Sequence, residues 1–373
     1  MSKLSTKKKQ LHSILAGELR RDLIAKLRPG DQLPSEEALE KQYDVSNVTV
    51  RHALQSLTES GWIERRHGCG NFVADPLAKR ELGVLMELDA TQPRLSRFHL
   101  RVTYLLRDYL HDHGARARLY LGSQTVFNVA EATGVPTCRE FVRDVEAGRL
   151  AGVAYVYAPW NMSAQVLSDA AGIPSVALWG EGYPHRVELD YCGLVRAGAE
   201  YLREHGRRRI AVAGWGVENF PGVQRAGLRD LLREAEVTVP EEWLRLEFHP
   251  DDPGAGWEDF RELWTARAEK PDGLLVLDDI LFADMRAALV ESGARIPADL
   301  LVVTHANKGL EVAAPFPVTR LEFDPAEAAA ALGEMLLAAA RREVLEPPVR
   351  VVPAQLREAA PVEGQGIPRT QEV

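Results

Sequence analysis

The sequence predicts an α/β protein in which a small helix-turn-helix domain precedes two lobes built on doubly wound parallel sheets. Near its N-terminus, two short helical patterns are separated by about three residues, which is the spacing of a helix-turn-helix. From residue 81 onward, short apolar runs alternate with helical stretches, as in βαβ units. With 373 residues, the chain has room for two or three domains.

Composition excludes several classes of protein. Hydrophobic residues make up 46% of the chain and charged residues 27%, which argues against disordered, collagenous and coiled-coil proteins. No apolar run has the length of a membrane span, and the basic start lacks the apolar core of a secretory signal, so we expect a cytoplasmic protein with no membrane partner. The three cysteines are widely spaced without a CxxC pair, so we expect free thiols and neither a metal nor a cofactor.

The charge is unevenly distributed along the chain. The net charge is -9, but residues 1–75 carry +2 and residues 76–373 carry -11. Basic residues concentrated at one end permit nucleic-acid binding there. The lysines among residues 3–9 are equally typical of a solubilising tail.

Three helices are predicted in the N-terminal region. An apolar stripe at helical spacing predicts the first from about residue 10 to residue 27. Ser35 is a natural N-cap for a second helix that ends near Tyr43, and Ser46 is a natural N-cap for a third that ends at Gly61. In a helix-turn-helix, the start of the second helix of the motif reaches base edges, so the candidate DNA contacts are Ser46, Asn47, Thr49 and Arg51.

A wing is predicted after the third helix. Residues 62–73 form two short strand patterns around a glycine-rich tip. Arg66 and His67 at this tip are candidates for contact with phosphates or a minor groove, and Gly68 allows the backbone to approach closely.

The string LPSEEALEKQYDVSNVTVRHALQSLTESGWIERRHGCGNFV resembles the winged helix-turn-helix of GntR-family bacterial transcription regulators over about residues 10–75. The resemblance implies DNA contacts from the start of the second helix, the start of the third helix and the wing, namely Ser35, Glu36, Thr49, Arg51 and Gly68. Two positions depart from the family, which usually has arginine in place of Glu37 and Asn47. Asn47 has the geometry for a bidentate pair with adenine, or it is a surface residue beside the cap. Arg51 either contacts DNA or forms a surface salt bridge with Glu36 or Glu40.

Two sets of strands and helices follow. Ligands bind at the carboxyl ends of strands in such sheets, and the gap between two lobes is a natural cleft. The first set has predicted strands at 82–86, 118–121, 152–157 and 175–178 and helices at 97–113 and 139–148; the second has strands at 210–213, 243–248, 274–277 and 300–304 and helices at 222–235, 256–268 and 282–292.

The strings VELDYCGLVRAGAEYLREHGRRRIAVAGWG, PDGLLVLDDI and SGARIPADLLVVTH look like the LacI-type effector-binding domain, a two-lobed periplasmic-binding-protein-like fold. Together with the N-terminal string, they resemble the arabinose-repressor-like branch of the GntR regulators. The resemblance implies chain crossings between the lobes near 187–190, 320–324 and 343–348. We therefore expect a DNA-binding domain at 1–75, a linker at 76–81, an effector domain at 82–358 and a disordered tail at 359–373.

The same resemblance suggests effector contacts. Arg225 matches an arginine that grips ligand hydroxyls or carboxylates, and Asp279 matches an aspartate that accepts sugar hydroxyl protons. Polyols also need aromatic faces, which Trp160 and Trp215 supply if they lie at strand ends, although tryptophan is more often a core residue. Phe98 and Asn161 are further candidates.

The turn after the predicted strand at 300–304 departs from the LacI pattern. It has His305, Ala306 and Asn307 where the family shows an aspartate. His305 and Asn307 are candidate effector contacts, but a lone histidine at a strand end is more often structural. The missing aspartate leaves open a non-sugar effector or a regulator that has lost its effector. The alanine-rich helix predicted at 326–342 belongs either to a lobe surface or dimer interface, or to the core.

The predicted function is therefore a ligand-responsive repressor. Its expected partners are double-stranded operator DNA, a small carbohydrate effector and a second copy of the chain, because one helix-turn-helix recognises too few base pairs. No Gly-x-Ser-x-Gly or P-loop string occurs in the sequence, so we expect no enzymatic activity.

Overall fold

The computed structural model describes residues 3–92, 96–124, 136–157, 167–169, 171–180, 182–214, 225–246, 253–311 and 313–359. These residues form two compact units. The first unit consists of Met1–Gln92, His99–Glu188 and Pro325–Arg350, and it includes the N-terminal domain. The second unit is mainly Leu189–Asp324. No helix in the described part of the chain is long and apolar enough to cross a membrane.

The N-terminal domain is a three-helix bundle with a two-stranded wing. Its elements are α1 (Lys3–Glu18), α2 (Glu36–Tyr43), α3 (Asn47–Glu59), β1 (Ile63–Arg66) and β2 (Gly70–Val73). The prediction for the first helix was wrong at its start, because residues 3–10 are helical without an apolar stripe; lysine and glutamine favour helices on their own. After α1, the chain continues as a π-helical turn at Leu19–Leu23 and a 3-10 turn at Ile24–Lys26.

Serine caps begin both helices of the helix-turn-helix, which confirms their predicted starts. The Ser35 hydroxyl accepts a hydrogen bond from the Ala38 amide at 3.2 Å, and the Ser46 hydroxyl accepts one from the Thr49 amide at 3.4 Å. The buried face of α3 is Val50, Ala53, Leu54 and Leu57, as its pattern predicts. The caps and this face fix where α3 begins and which of its residues point outward.

The first α/β sheet has the strand order β13-β7-β6-β5-β3-β4. The pairs β4–β3, β3–β5, β5–β6 and β6–β7 are parallel. The strands are β3 (Glu81–Leu88), β4 (Ala117–Gln124), β5 (Leu150–Tyr157), β6 (Ser175–Leu178), β7 (Arg186–Leu189) and β13 (Val349–Val352), and the accompanying helices are α4 (Pro76–Lys79), α5 (Arg97–Asp112), α6 (Arg139–Glu146) and α11 (Pro325–Ala340). The alanine-rich α11 packs on β5 and β6 with most of its apolar residues buried, so it belongs to the core.

The second sheet repeats this arrangement. Its order is β14-β12-β11-β10-β8-β9, in which only β14 is antiparallel to its neighbour. The strands are β8 (Ile210–Ala213), β9 (Leu244–Arg245), β10 (Gly273–Val276), β11 (Leu301–Asn307), β12 (Thr319–Phe323) and β14 (Gln355–Arg357), with the helices α7 (Tyr191–Glu204), α8 (Arg225–Glu234), α9 (Ala255–Thr265) and α10 (Asp279–Glu291). The strand predicted at 243–248 is only two residues long in the described segment.

Each sheet has one topological switch point. The first strand in chain order lies between the second and the third, so the order reverses between β3 and β5 in one sheet and between β8 and β10 in the other. Ligands of open α/β sheets bind beyond the carboxyl ends of strands at such points. This confirms the predicted fold class of two doubly wound parallel sheets.

Strand β11 is longer than predicted. The expected strand ended at Thr304, with a turn at residues 305–307, but pairing with β12 continues to Asn307 opposite Phe323. The turn was expected from the LacI pattern, whereas here the neighbouring strand β12 pairs with β11 as far as residue 307. As a result, His305 is only 5% exposed and Asn307 only 2%.

Burial of His305 makes the stability of the protein depend on pH. Burial lowers the pKa of the imidazole to about 4, below its ordinary 6.5. Between these values, the unfolded chain binds a proton that the folded chain does not, so the free energy of unfolding falls as the pH falls from 6.5 to 4. Over this pH range, we expect the free energy of unfolding to fall by up to about 3 kcal/mol less in His305→Phe than in the unsubstituted protein.

Urea unfolding at pH 7 and at pH 4.5 measures the effect. His67→Phe, at an exposed histidine of the wing, is the control and should leave the pH dependence unchanged. An equal loss of stability in His305→Phe and in the unsubstituted protein would show that His305 is not held neutral by the fold.

Candidate nucleic-acid interface and effector site

The recognition surface of α3 is held by the acidic side chains of α2. Glu36 accepts a hydrogen bond from Arg51 Nε at 2.8 Å, and this contact raises the pKa of Arg51. Glu40 accepts a hydrogen bond from the Asn47 side-chain amide. The surface salt bridge considered for Arg51 is therefore formed, with Glu36. Because Arg51 is still well exposed, it is available to a phosphate that displaces Glu36.

The positions where the GntR family has arginine are occupied differently here. Glu37 forms an exposed ion pair with Lys41 at 2.8 Å. Asn47 is partly buried and its amide nitrogen is engaged by Glu40. The α2–α3 surface consequently carries less free positive charge than arginines at these two positions would provide.

Val48 lies in the first turn of α3 and is 59% exposed. Its neighbours in that turn are the capping residue Ser46 and Thr49, whose hydroxyls are 2.9 Å apart. An exposed apolar side chain at the start of a recognition helix has the chemistry to contact the methyl group of thymine. Val48 was not among the candidates predicted from sequence, which were chosen for their polar side chains.

The wing tip is shaped by glycine and braced by the segment before α2. Gly68 and Gly70 have positive φ angles of 72° and 112°. The side-chain amide of Gln32 donates to the Cys69 carbonyl at 2.7 Å. Arg66 lies 4.3 Å from the ring centre of Phe72 and pairs with Glu64 at 2.6 Å.

A groove separates the wing from the start of α2. It has a volume of about 460 Å³ and is lined by residues 32–36 on one side and 65–71 on the other. Ser35, Glu36, Arg66, His67 and Gly68 all line it, so the structure brings these five candidates together. Exposed Arg65 and the amide groups at the start of α2 give the groove donors suited to a phosphate.

Several effector candidates lie outside the described residues. Trp160, Asn161 and Trp215 are among them. Arg225 is the first residue of α8, but its side chain also lies outside the described part. Phe98 is the second residue of α5 and is 3% exposed, which is the position of a packing residue rather than of an open contact surface.

Asp279 and Asn307 come together at the carboxyl ends of β10 and β11, beside the switch point of the second sheet. The Asn307 side-chain amide donates to Asp279 Oδ2 at 3.0 Å. Removal from water raises the pKa of Asp279. The preceding Asp278 caps α10 by accepting from the amides of Ile280 and Leu281 at 2.9 Å, so the two adjacent carboxylates have different partners.

An aromatic cluster adjoins this pair. His305 makes edge contacts with Tyr191 and Phe323, each with 5.6 Å between ring centres, and Tyr191 lies 5.1 Å from Phe323. Burial and the nearby aspartates raise the pKa of Tyr191. Tyr191 was missed from sequence because it lies on α7, more than 80 residues from Asp279.

Two residues mark strand ends in the first sheet. Near the end of β3, the buried Glu87 accepts hydrogen bonds from the Thr137 amide and hydroxyl at 2.8 and 2.7 Å, which holds the start of α6. Trp179, after β6, has a positive φ of 74°. Such backbone strain in a bulky residue is concentrated at functional sites.

The described residues contain no group of three or more His, Cys, Asp or Glu side chains that could hold a metal ion. Within the described part of the chain, Cys69, Cys138 and Cys192 form no disulfide bond with one another.

Two family models each match one part of the chain. Residues 12–73 match the family model of bacterial regulatory proteins of the gntR family, and residues 199–358 match that of the periplasmic binding protein-like domain. The arabinose metabolism transcriptional repressor of Halalkalibacterium halodurans is 22% identical over 333 residues, which cover 84% of this chain and 85% of that protein.

Two further comparisons cover different shares of the chain. The mannosyl-D-glycerate transport/metabolism system repressor MngR of Escherichia coli is 35% identical over 82 residues, 22% of this chain and 34% of that protein. The solved structure of the transcriptional regulator CelR–cellobiose complex aligns with a TM-score of 0.60 at 19% identity, over 88% of this chain and 99% of that one. The proteins named here are regulators rather than enzymes. The chain thus joins a segment similar to the gntR family of bacterial regulatory proteins to a segment similar to the periplasmic binding protein-like domain, and this combination supports a DNA-binding transcription regulator.

Proposed function

We propose that the protein is a repressor that binds operator DNA as a homodimer and changes its affinity for DNA when a small carbohydrate binds its second α/β unit. The observation that carries the DNA-binding part is the groove between α2 and the wing, next to the exposed start of α3. As a protein that binds operator DNA, it acts in the cytoplasm.

The proposed DNA contacts divide into two kinds. Val48, Thr49 and the Asn47 amide face base edges from the start of α3, whereas Arg51, Arg66 and the amide groups after Ser35 face phosphates. In this scheme, Glu36 competes with DNA for Arg51, because Arg51 stays bonded to Glu36 until a phosphate takes the place of the Glu36 carboxylate. A second copy of the chain supplies the second half-site.

The proposed effector site lies at the ends of β10 and β11. Asp279 and Asn307 present a carboxylate and an amide, the hydrogen-bonding groups that orient sugar hydroxyls, and the neighbouring aromatic cluster is apolar. Arg225 at the start of α8 is a further proposed contact. The sugar-related names of the similar regulators support a carbohydrate as the effector.

A second candidate is a regulator whose effector is not a sugar, or that has lost its effector. The observation in its favour is the burial of His305 and Asn307 within β11, with Asn307 already bonded to Asp279. A sugar must then compete with a hydrogen bond that the fold itself makes.

The role of Arg51 can be separated from its ion pair with Glu36. We expect Arg51→Ala to weaken binding to a DNA site selected from a random library by at least tenfold, and to reduce the slope of log affinity against log salt by about one, because one phosphate contact is lost. Glu36→Gln should strengthen binding, because it releases Arg51 and removes a negative charge from the interface. Fluorescence polarisation at several salt concentrations measures both variants. Unchanged DNA affinity in both variants would show that Arg51 forms its surface salt bridge with Glu36 but does not contact DNA.

Val48 is expected to contact a thymine methyl group. In a selected site, replacing each thymine by deoxyuridine should weaken binding about fourfold at one position per half-site, since burial of one methyl group contributes about 0.8 kcal/mol. With Val48→Ala, the same replacement should have no effect at that position. Equal sensitivity to deoxyuridine in both proteins would exclude the contact.

The effector is identified by thermal unfolding of the full chain against mono-, di- and acidic sugars and nucleosides. A ligand present at about 100 times its Kd stabilises the folded state by about 2.7 kcal/mol and raises Tm. Asp279→Asn should abolish the shift. Asp278→Asn is the matched control and should retain it, because asparagine caps a helix as well as aspartate does. A shift caused only by nucleosides excludes a sugar, and no shift with any compound favours the second candidate.

A further inference from the structure

The DNA-binding domain and the first α/β sheet share a buried junction. It consists of Arg20, Trp62 and Arg80 on one side and the loop at residues 146–150, after α6, on the other. Trp62 is 1% exposed, and its indole Nε1 donates a hydrogen bond to the Gly148 carbonyl at 2.7 Å. One hydrophobic cluster runs from the helices of the DNA-binding domain through Trp62 to the sheet residues around Leu150 and Tyr155.

Two arginines complete the junction. Arg80, 4% exposed, lies 3.7 Å from the Trp62 ring centre and donates to the Leu150 carbonyl at 3.1 Å. Arg20 lies 5.6 Å from the same ring and donates to the Glu146 carbonyl at 3.4 Å. Glu146 ends α6, where the helix dipole favours a cation. Burial, together with repulsion from Arg342 and Arg20, lowers the pKa of Arg80 to about 9. The Trp62 ring and the Leu150 carbonyl therefore offset only part of the cost of removing this cation from water.

Close backbone approach shows how tightly the two sides fit. A Cβ atom built on Gly148, whose φ is +67°, would lie 1.7 Å from Arg20 Nη1 and 2.9 Å from the Trp62 indole nitrogen. At Gly172, it would lie 3.3 Å from the backbone of Arg20. Arg342, after α11, also donates to the Leu27 carbonyl. The contacts thus involve three separate segments of the α/β unit.

We infer that the DNA-binding domain is docked on the first α/β unit as one rigid body, with Arg20, Trp62 and Arg80 as positioning residues that fix the orientation of α3. The linker predicted at 76–81 then does not act as a flexible tether. Within it, α4 is a turn of helix capped by Asp75, and the segment ends at the buried Arg80. The inference deepens the proposed function, because docked domains hold the two recognition helices of a dimer at one spacing.

Cleavage by an arginine-specific protease tests the docking. Hydrolysis after Arg80 requires its side chain to leave the junction, so the full-length protein should resist cleavage there while it is cut at the exposed Arg65. Gly148→Ala introduces a methyl group into the junction and should accelerate cleavage after Arg80 at least tenfold. Gly114→Ala is the matched control: its φ is +76° and no atom lies within 4 Å of the added carbon. It should leave the rate unchanged.

A second variant guards against general unfolding. Trp62→Phe keeps an aromatic ring but removes the indole donor, and it should accelerate cleavage after Arg80 without changing cleavage after arginines of the second unit. Cleavage after Arg80 as fast as after Arg65 in the unsubstituted protein, or equal rates in Gly148→Ala and Gly114→Ala, would overturn the inference. This assay needs neither DNA nor a dimer, so its failure is distinct from failure of the proposed function.

DNA binding gives a readout that simple destabilisation does not change. With a selected site whose half-site spacing is varied base pair by base pair, the unsubstituted protein should bind one spacing at least tenfold more tightly than its neighbours. Gly148→Ala should bind the neighbouring spacings nearly equally well. The same sharp preference in Gly148→Ala would contradict a positioning role for the junction.

Discussion

The hydrogen bond from the Trp62 indole to the Gly148 carbonyl is the interaction on which the arrangement of the first unit depends. It joins residues 86 positions apart, and both of its partners are buried. Such a bond contributes about 1 kcal/mol net, but an unpaired buried donor or acceptor costs about 1–3 kcal/mol. Trp62 therefore both fills the core of the DNA-binding domain and orients that domain on the sheet, with Arg20 and Arg80 bordering its ring.

Electrostatics in the DNA-binding domain are balanced rather than strongly basic. Acidic side chains of α2 accept hydrogen bonds from Arg51 and Asn47 of α3, so both residues already have partners before DNA binds. Binding then exchanges protein contacts for phosphate and base contacts instead of ordering free side chains. We expect this exchange to reduce non-specific affinity, because fewer unpaired cations are offered to an arbitrary phosphate backbone.

Local features of the fold were predictable from sequence, because they are set by neighbouring residues. The serine caps, the glycine-shaped wing and the alternation of strands and helices are all of this kind. Features that depend on distant partners were not. Strand β11 extends to Asn307 because β12 pairs with it, and α10 starts at Asp279, earlier than predicted, because Asp278 caps it.

The site shows the same division. The sequence suggested Asp279 and Asn307 separately, but their hydrogen bond follows from adjacent parallel strands. Tyr191 had no sequence signal, since it joins the cluster from another element. Val48 was not among the sequence candidates, because an apolar side chain carries no hydrogen-bonding signal for DNA; its exposure follows from the Ser46 cap, which fixes where α3 begins.

The most direct test of the account is the affinity of the full chain for its selected DNA site, measured by fluorescence polarisation with and without the compound that raises Tm. The account predicts that the saturating compound changes the Kd for DNA at least tenfold, and that Asp279→Asn binds DNA normally but no longer responds. An unchanged Kd in the presence of a compound that binds the protein would contradict the claim that one chain couples a small molecule to the recognition of DNA.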